Sequence, residues 1–416
     1  MQDSPSEFRR AARINGIEIS QIVQISETAA QMRADGHDVV ALSTGAPDFP
    51  TPDFVIQAAH NAALAGQTGY TATAGTNELR DEIAAQSHVT RAHVIVSTGA
   101  KQVLANAMLA TLNDGDEVII PTPYWTSYSD IVTMAGGTAV TVPCPMSQGF
   151  KLTPEDLEKA ISPETRWLML NSPSNPSGAI YTKSEIRALA QVLANHPHVW
   201  VLADEIYEHL SYVPFTSFAV AAPELAGRTL IVNGVSKAWA MTGWRIGWGI
   251  GPAPLIRAMI AVQGQITSGA CSISQAAALA ALTGDRKLLS DRLQDFDARR
   301  KLVVGGLNAM AGITCPEPDG AFYVFPNIEG MMAKGGFATC TDACNWLLEK
   351  AHVAIVPGTA FGLPGHARIS FAYGQDDLNE GLTRMASALK NCVSSPIKEN
   401  IHGSFHSIEK PWLYSR

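Results

Sequence analysis

Apolar residues in this chain gather into short runs set between longer amphipathic stretches. The runs Val94–Ser97, Glu117–Pro121, Thr138–Pro143, Trp167–Asn171, Val199–Ala203, Thr229–Val232 and Ile246–Ile250 are rich in β-branched and aromatic residues. Runs of that length and composition predict buried strands. Helical patterning separates them, and strands alternating with helices predict a mostly parallel sheet covered by helices. Ahead of this region lie an arm, a helical stretch (Ser20 to Asp35) and a short strand (Val39 to Leu42). Behind it, a long helical pattern from about Asp285 to Met310 leads into a part where strands and helices alternate on a smaller scale. The expected organisation is an arm with part of a small domain (1–52), a large domain (53–288), a smaller α/β domain (289–392) and a tail (393–416). No Pro/Gly-rich linker marks residue 288, so that boundary rests on the helical pattern crossing it. No internal repeat is evident.

Composition narrows the class. The chain has 416 residues, is 46% hydrophobic and 16% charged, and carries a net charge of −8. That length supports two domains with a real core, and the apolar content argues against disorder. The basic cluster that nucleic-acid binding needs is missing, so no nucleic-acid partner is expected. The cysteines are Cys144, Cys271, Cys315, Cys340, Cys344 and Cys392, with no Cys-x-x-Cys among them. His402 and His406 stand four apart without a nearby third ligand, and read as exposed histidines. Neither a zinc site nor a disulfide framework is expected. A polar, charged start (Met1 to Arg13) and the lack of a long apolar run predict neither signal peptide nor membrane span, and hence a cytoplasmic protein.

The densest chemistry follows the run Thr229–Val232. There Ser236 and Lys237 are adjacent, and Arg245 follows eight residues after the lysine. A lysine can form an imine with an aldehyde, while a serine and an arginine can hold a phosphate dianion; pyridoxal phosphate carries both groups. Upstream, the strand-like Val199–Ala203 ends in Asp204-Glu205-Ile206-Tyr207. An aspartate at the carboxyl end of a parallel strand faces the crevice where such sheets bind ligands. Taken alone, Asp204 reads as a helix cap and Tyr207 as a core residue. A third element, Ser97-Thr98-Gly99-Ala100-Lys101-Gln102, is a tight turn into a helix start, where free amides suit a phosphate.

These segments occur in a fixed order together with Gly45-Ala46-Pro47-Asp48-Phe49, Gly69-Tyr70-Thr71, Pro121-Thr122-Pro123-Tyr124-Trp125, Asn171 through Gly178, Gly320-Ala321-Phe322-Tyr323 and Ala367-Arg368-Ile369-Ser370. The set resembles the class I aminotransferases of PLP fold type I, and most of all their bacterial aspartate aminotransferase branch. The resemblance implies a seven-stranded, mostly parallel sheet, a pyridoxal 5′-phosphate cofactor, and amino acid and 2-oxo acid substrates. It implies that Lys237 carries the cofactor and moves the substrate proton, that Asp204 pairs with the ring nitrogen, and that Tyr207 and Asn175 bond the ring's phenolic oxygen. Trp125 would stack on the ring; ordinary core packing is its other reading. Gly99 with the amides of Ala100 and Lys101, and with Ser236 and Arg245, would cradle the phosphate. Arg368 would grip the substrate carboxylate with two parallel hydrogen bonds, with Asn175 and the Gly45 amide beside it. A surface arginine and a plain turn glycine are the other readings of Arg368 and Gly45. Tyr70 would reach the phosphate of a neighbouring subunit, which implies a homodimer with shared sites.

The chain also departs from the branch's pattern. Ala46 stands where the branch has glutamate, and the connection Gln86 to His93 is shorter than usual. Asn15 falls where some prephenate-accepting relatives carry lysine, which argues against prephenate as substrate. Aspartate with 2-oxoglutarate is the expected pair, and aromatic or other donors stay open. A β-eliminating lyase of the same fold would use the same cofactor cage. A non-enzymatic regulator would need an added DNA-binding domain, for which residues 1–52 leave no room.

Overall fold

The computed structural model describes residues 9–392; the expected tail, with His402 and His406, lies outside them. Strand β1 (Val40–Ala41) precedes seven longer strands: β2 (Val94–Thr98), β3 (Glu117–Thr122), β4 (Thr138–Pro143), β5 (Thr165–Asn171), β6 (Trp200–Asp204), β7 (Thr229–Gly234) and β8 (Ile246–Ile250). Those seven form one sheet in the order β2-β8-β7-β6-β5-β3-β4. Strands β4, β3, β5, β6 and β7 run parallel, and β8 runs antiparallel to both β2 and β7. The fold is therefore α/β with a mostly parallel sheet, as the alternation predicts.

The central strands are buried on both faces, which is why they read as continuous apolar runs. Residues Thr229 to Gly234 are all buried, as are Val201 to Asp204. One face packs Leu104, Met108, Leu202, Leu230 and Met259 into a core. The other packs Leu189, Leu193, Val201, Ala203 and Leu225.

A smaller sheet comprises β9 (Tyr323–Val324), β11 (Val356–Pro357) and β12 (Ala367–Ser370), in the order β11-β12-β9, all antiparallel. Strand β10 (Val353–Ala354) lies parallel to β1 and so ties the N-terminal segment to the C-terminal part. The helix Lys287–Asn308 spans the expected boundary near 288. Its Phe296, Val303 and Leu307 enter a core that also holds Val40, Tyr207, Phe322 and Tyr323. This core joins the ends of the large sheet to the small one, and the functional residues converge there. Among the described residues, no helix is long and apolar enough to cross a membrane.

Candidate active site

Parallel strands end on one side of their sheet, so residues following those ends share a crevice. Asn171 closes β5, Asp204 closes β6, and Ser236 and Lys237 follow β7. Around them lies a cavity of about 300 Å³. Eleven of the residues singled out in the sequence line it: Gly45, Ala100, Lys101, Trp125, Asn175, Asp204, Tyr207, Ser236, Lys237, Arg245 and Arg368. Gly99 stands behind Arg245, and Tyr70, 99% exposed, projects away into solvent. The described residues contain no cluster of His, Cys, Asp or Glu suited to a metal ion.

Lys237 donates from Nζ to the Gly45 carbonyl at 2.8 Å. Burial, reinforced by nearby Arg368 and Arg245, pushes its amine down to about 8. A neutral amine is the nucleophilic form, so this environment prepares the lysine for an aldehyde. The Gly45 contact engages the carbonyl of that residue, whereas the sequence pointed to its amide. A Cβ at Gly45 would lie 2.5 Å from the Tyr323 hydroxyl, so glycine is needed for close approach.

Asp204 is 3% exposed. Its carboxylate accepts from the Tyr128 hydroxyl at 2.7 Å and from the Ile206 amide at 3.2 Å. Burial raises its pKa to about 6, against the pull of those hydrogen bonds and of Lys237. The Asn171 side chain donates to the Asp204 carbonyl at 2.9 Å and accepts from the Asn175 amide at 2.7 Å, locking the loop after β5 to the end of β6.

The turn after β2 has the features of an anion cradle. Gly99, at φ 83°, caps the helix Ala100–Thr111, and first-turn amides of a helix have no intrahelical partner. A Cβ on Gly99 would sit 2.5 Å from the Arg245 guanidinium, and one on Gly247 would sit 2.3 Å from the Ala100 amide nitrogen. Both glycines thus let Arg245 and the helix start approach one another. Arg245 is itself left-handed (φ 58°) and donates to the Thr242 carbonyl at 2.9 Å.

Arg368 is 1% exposed and sits on β12. Its guanidinium donates to Asn175 Oδ1 at 3.1 Å and to the Ser43 carbonyl, and lies 4.6 Å from the Tyr323 ring centroid and 5.0 Å from that of Phe361. Its Nε is buried without a partner. A buried guanidinium with an unused donor is costly unless an anion completes it. The cavity therefore offers a cradle for a phosphate, a depressed lysine for an aldehyde, and a guanidinium for a carboxylate. This donor set fits pyridoxal phosphate together with an amino acid.

Sequence reasoning assigned no role to Tyr128, Asn171 or Tyr323, nor to the Lys101 side chain. Tyr207 and Tyr323 share a hydrogen bond between hydroxyls at 2.9 Å. Lys101 holds its Nζ 4.7 Å from the Trp125 ring centroid, and burial and Arg245 lower its pKa. Tyr323 stands in a segment quoted for the resemblance, which was the available signal. Tyr128 carries no local mark that separates it from a core tyrosine.

Comparison with known proteins agrees with this geometry. The family model for aminotransferases of class I and II matches residues 37–385. An aspartate aminotransferase from Rhizobium meliloti (strain 1021) is 51% identical over 394 residues, 92% of this chain and 96% of that protein. An aspartate/prephenate aminotransferase from Cereibacter sphaeroides is 50% identical over 379 residues, 88% of this chain and 95% of that one. Among solved structures, the aspartate aminotransferase of Rhizobium meliloti superposes with a TM-score of 0.89 at 50% identity, covering 92% of this chain and 99% of its own. That of Thermus thermophilus with maleate gives 0.86 at 39% identity, covering 92% and 100%. With its fold, its cavity and these likenesses in agreement, the chain belongs to the class I and II aminotransferases.

Proposed function

We propose that this aminotransferase takes the amino group from aspartate and passes it to 2-oxoglutarate, using pyridoxal phosphate. The observation that carries the substrate class is that, beyond Lys237 and the phosphate-facing Arg245, two further cations line the cavity. Arg368 has an unused buried donor, and Lys101, from a different element, lines the same space. One cation binds the α-carboxylate common to amino acids; a second selects a side chain that ends in another carboxylate. The Thermus relative described with maleate, a dicarboxylate, supports the same reading.

Bound in this cavity, pyridoxal phosphate supplies an aldehyde that carries the amino group and a ring that accepts electrons from the substrate's α-carbon. The chain's residues hold and serve that group. Lys237 anchors it and moves a proton at Nζ, a role that its depressed pKa suits. Asp204, its carboxylate held by Tyr128, would pair with the ring nitrogen. Tyr207 and Asn175, which line the cavity, would hydrogen-bond the ring oxygen, and Trp125 would pack against the ring. The amides of Ala100 and Lys101, with Ser236 and Arg245, receive the phosphate. Arg368 would hold the substrate by its carboxylate in the cavity that Lys237 also lines, within reach of that base.

Tyr70 protrudes fully from its own chain, which supports a role in a partner's phosphate site and hence a homodimer. Mixing a Tyr70→Phe chain with a Lys237→Ala chain tests this. Shared sites yield heterodimers in which one site carries both changes and the other neither, so activity with tight cofactor binding reappears. A mixture without such a site excludes the shared arrangement. The substrate is tested by a donor panel with 2-oxoglutarate and pyruvate as acceptors. Aspartate should lead, and prephenate should fail as acceptor, since Asn15 offers no cation. A panel led by aromatic or aliphatic donors would replace the aspartate reading.

A further inference from the structure

The Tyr323 hydroxyl touches two parts of the cavity that come from distant segments of the chain. It bonds the Tyr207 hydroxyl at 2.9 Å, and it fills the space that a side chain at Gly45 would take. Its ring lies 4.6 Å beneath the Arg368 guanidinium. The register explains the contact with Arg368. Tyr323 pairs with Ser370 across β9 and β12, so Arg368, two residues before Ser370, is its diagonal neighbour on the same face. Tyr207 in turn has its ring 5.9 Å from the Lys237 Nζ. Tyr323 is 1% exposed and lines the cavity.

We propose that Tyr323 is a positioning residue that links the carboxylate handle to the lysine end of the cavity: its ring seats Arg368, and its hydroxyl aims that of Tyr207. The two functions reside in separate atoms. A guanidinium over an aromatic face needs only the ring. Orientation of a buried hydroxyl needs a second polar atom at hydrogen-bond distance. Either hydroxyl of this pair could donate; with Tyr323 as the donor, Tyr207 is free to direct its own proton toward the ring oxygen of the cofactor. A donor there favours the form with more negative charge on that oxygen, which is the deprotonated form of the bound chromophore. Tyr323 therefore holds the chromophore's titration midpoint down without touching it.

The inference rests on the pyridoxal phosphate reading, and the experiment separates the two. The visible spectrum of the holoenzyme is titrated for wild type, Tyr323→Phe, Tyr207→Phe and the double variant. The expected result for Tyr323→Phe is an upward shift of the midpoint by about one pH unit, a tenfold change in the proton equilibrium. Because Tyr323 acts through Tyr207, the double variant should titrate like Tyr207→Phe alone. Tyr323→Phe keeps the ring, so Tyr323→Leu should raise the KM for the amino acid at least fivefold beyond it. A midpoint unmoved in Tyr323→Phe, or shifts that add in the double variant, overturns the hydroxyl's role. Equal KM values in the Phe and Leu variants overturn the ring's role. A wild-type protein that fails to take up pyridoxal phosphate refutes the cofactor reading, and the inference with it; one that takes it up with a visible band that does not titrate overturns the inference alone.

Discussion

Asp204 and Glu205 are neighbours in sequence, both buried carboxyls, and they serve two different cavities. Asp204 lines the smaller one beside Lys237. Glu205 lines a larger one, about 950 Å³, behind β7 and β8. Burial raises both, Asp204 to about 6 and Glu205 to about 8. The difference lies in what surrounds them. In the larger cavity the polar groups satisfy each other. Glu205 accepts from the Phe218 amide at 2.7 Å and from Ser217 at 3.0 Å, Glu208 meets His209 at 3.2 Å, and Arg286 donates to Gln86 at 2.7 Å. In the smaller one, Arg368 keeps an unused donor, and Lys237 reaches only a backbone carbonyl. Neither cavity size nor a destabilised carboxyl identifies the reactive site, since the larger cavity has both; unspent donors do.

Variants on the two sides sharpen that contrast. The largest effect is expected from Lys237→Ala, which removes both anchor and base and should cost turnover about 10⁴-fold or more. Asp204→Ala should slow the half-reaction with aspartate by about 10³-fold, or about 4 kcal/mol of barrier, while the cofactor still binds. Unchanged half-reaction rates would make Asp204 structural only. Arg368→Ala should raise the KM for aspartate about 10–100-fold, the loss of one or two hydrogen bonds to a charged group. Lys101→Ala should raise the aspartate KM about tenfold and leave that of alanine near its starting value; equal effects on both would remove Lys101 from substrate choice.

On the other side, Glu205→Gln keeps an acceptor for Phe218 and Ser217, so turnover should stay within about threefold of wild type. The sign of its stability effect follows from linkage. A carboxyl raised in the folded state holds a proton that the unfolded chain has released. Its contribution to stability therefore falls as pH rises from about 4.3 to about 8. Thermal unfolding should show wild type losing stability relative to Glu205→Gln across that window. Parallel curves would mean that Glu205 is ionised in the fold.

The sheet was legible because its central strands are buried on both faces. Continuous apolar runs such as Thr229–Val232 and Ile246–Ile250 leave little room for another reading, and all seven strands form close to their expected limits. The antiparallel insertion of β8 between β2 and β7 carries no local signature, since pairing direction depends on partners distant in sequence. The site was legible where chemistry demands a rare residue at a fixed place: a lysine after a strand, an aspartate at a strand end, a glycine at a helix start. It was illegible where a common residue acts through a contact made by the fold. Tyr128 reaches Asp204 across 76 positions and Tyr323 reaches Tyr207 across 116. In sequence, each reads equally well as packing.

The central claim is that Lys237 is the residue at which pyridoxal phosphate attaches. Its depressed amine should react with the cofactor at rates that rise with pH and level off above about 8. Borohydride reduction of the loaded enzyme, followed by peptide mapping, tests the claim directly. The predicted result is one pyridoxyl group on the peptide that contains Ser236 and Lys237. Labelling at Lys101 or another lysine, or no label after uptake, would contradict it.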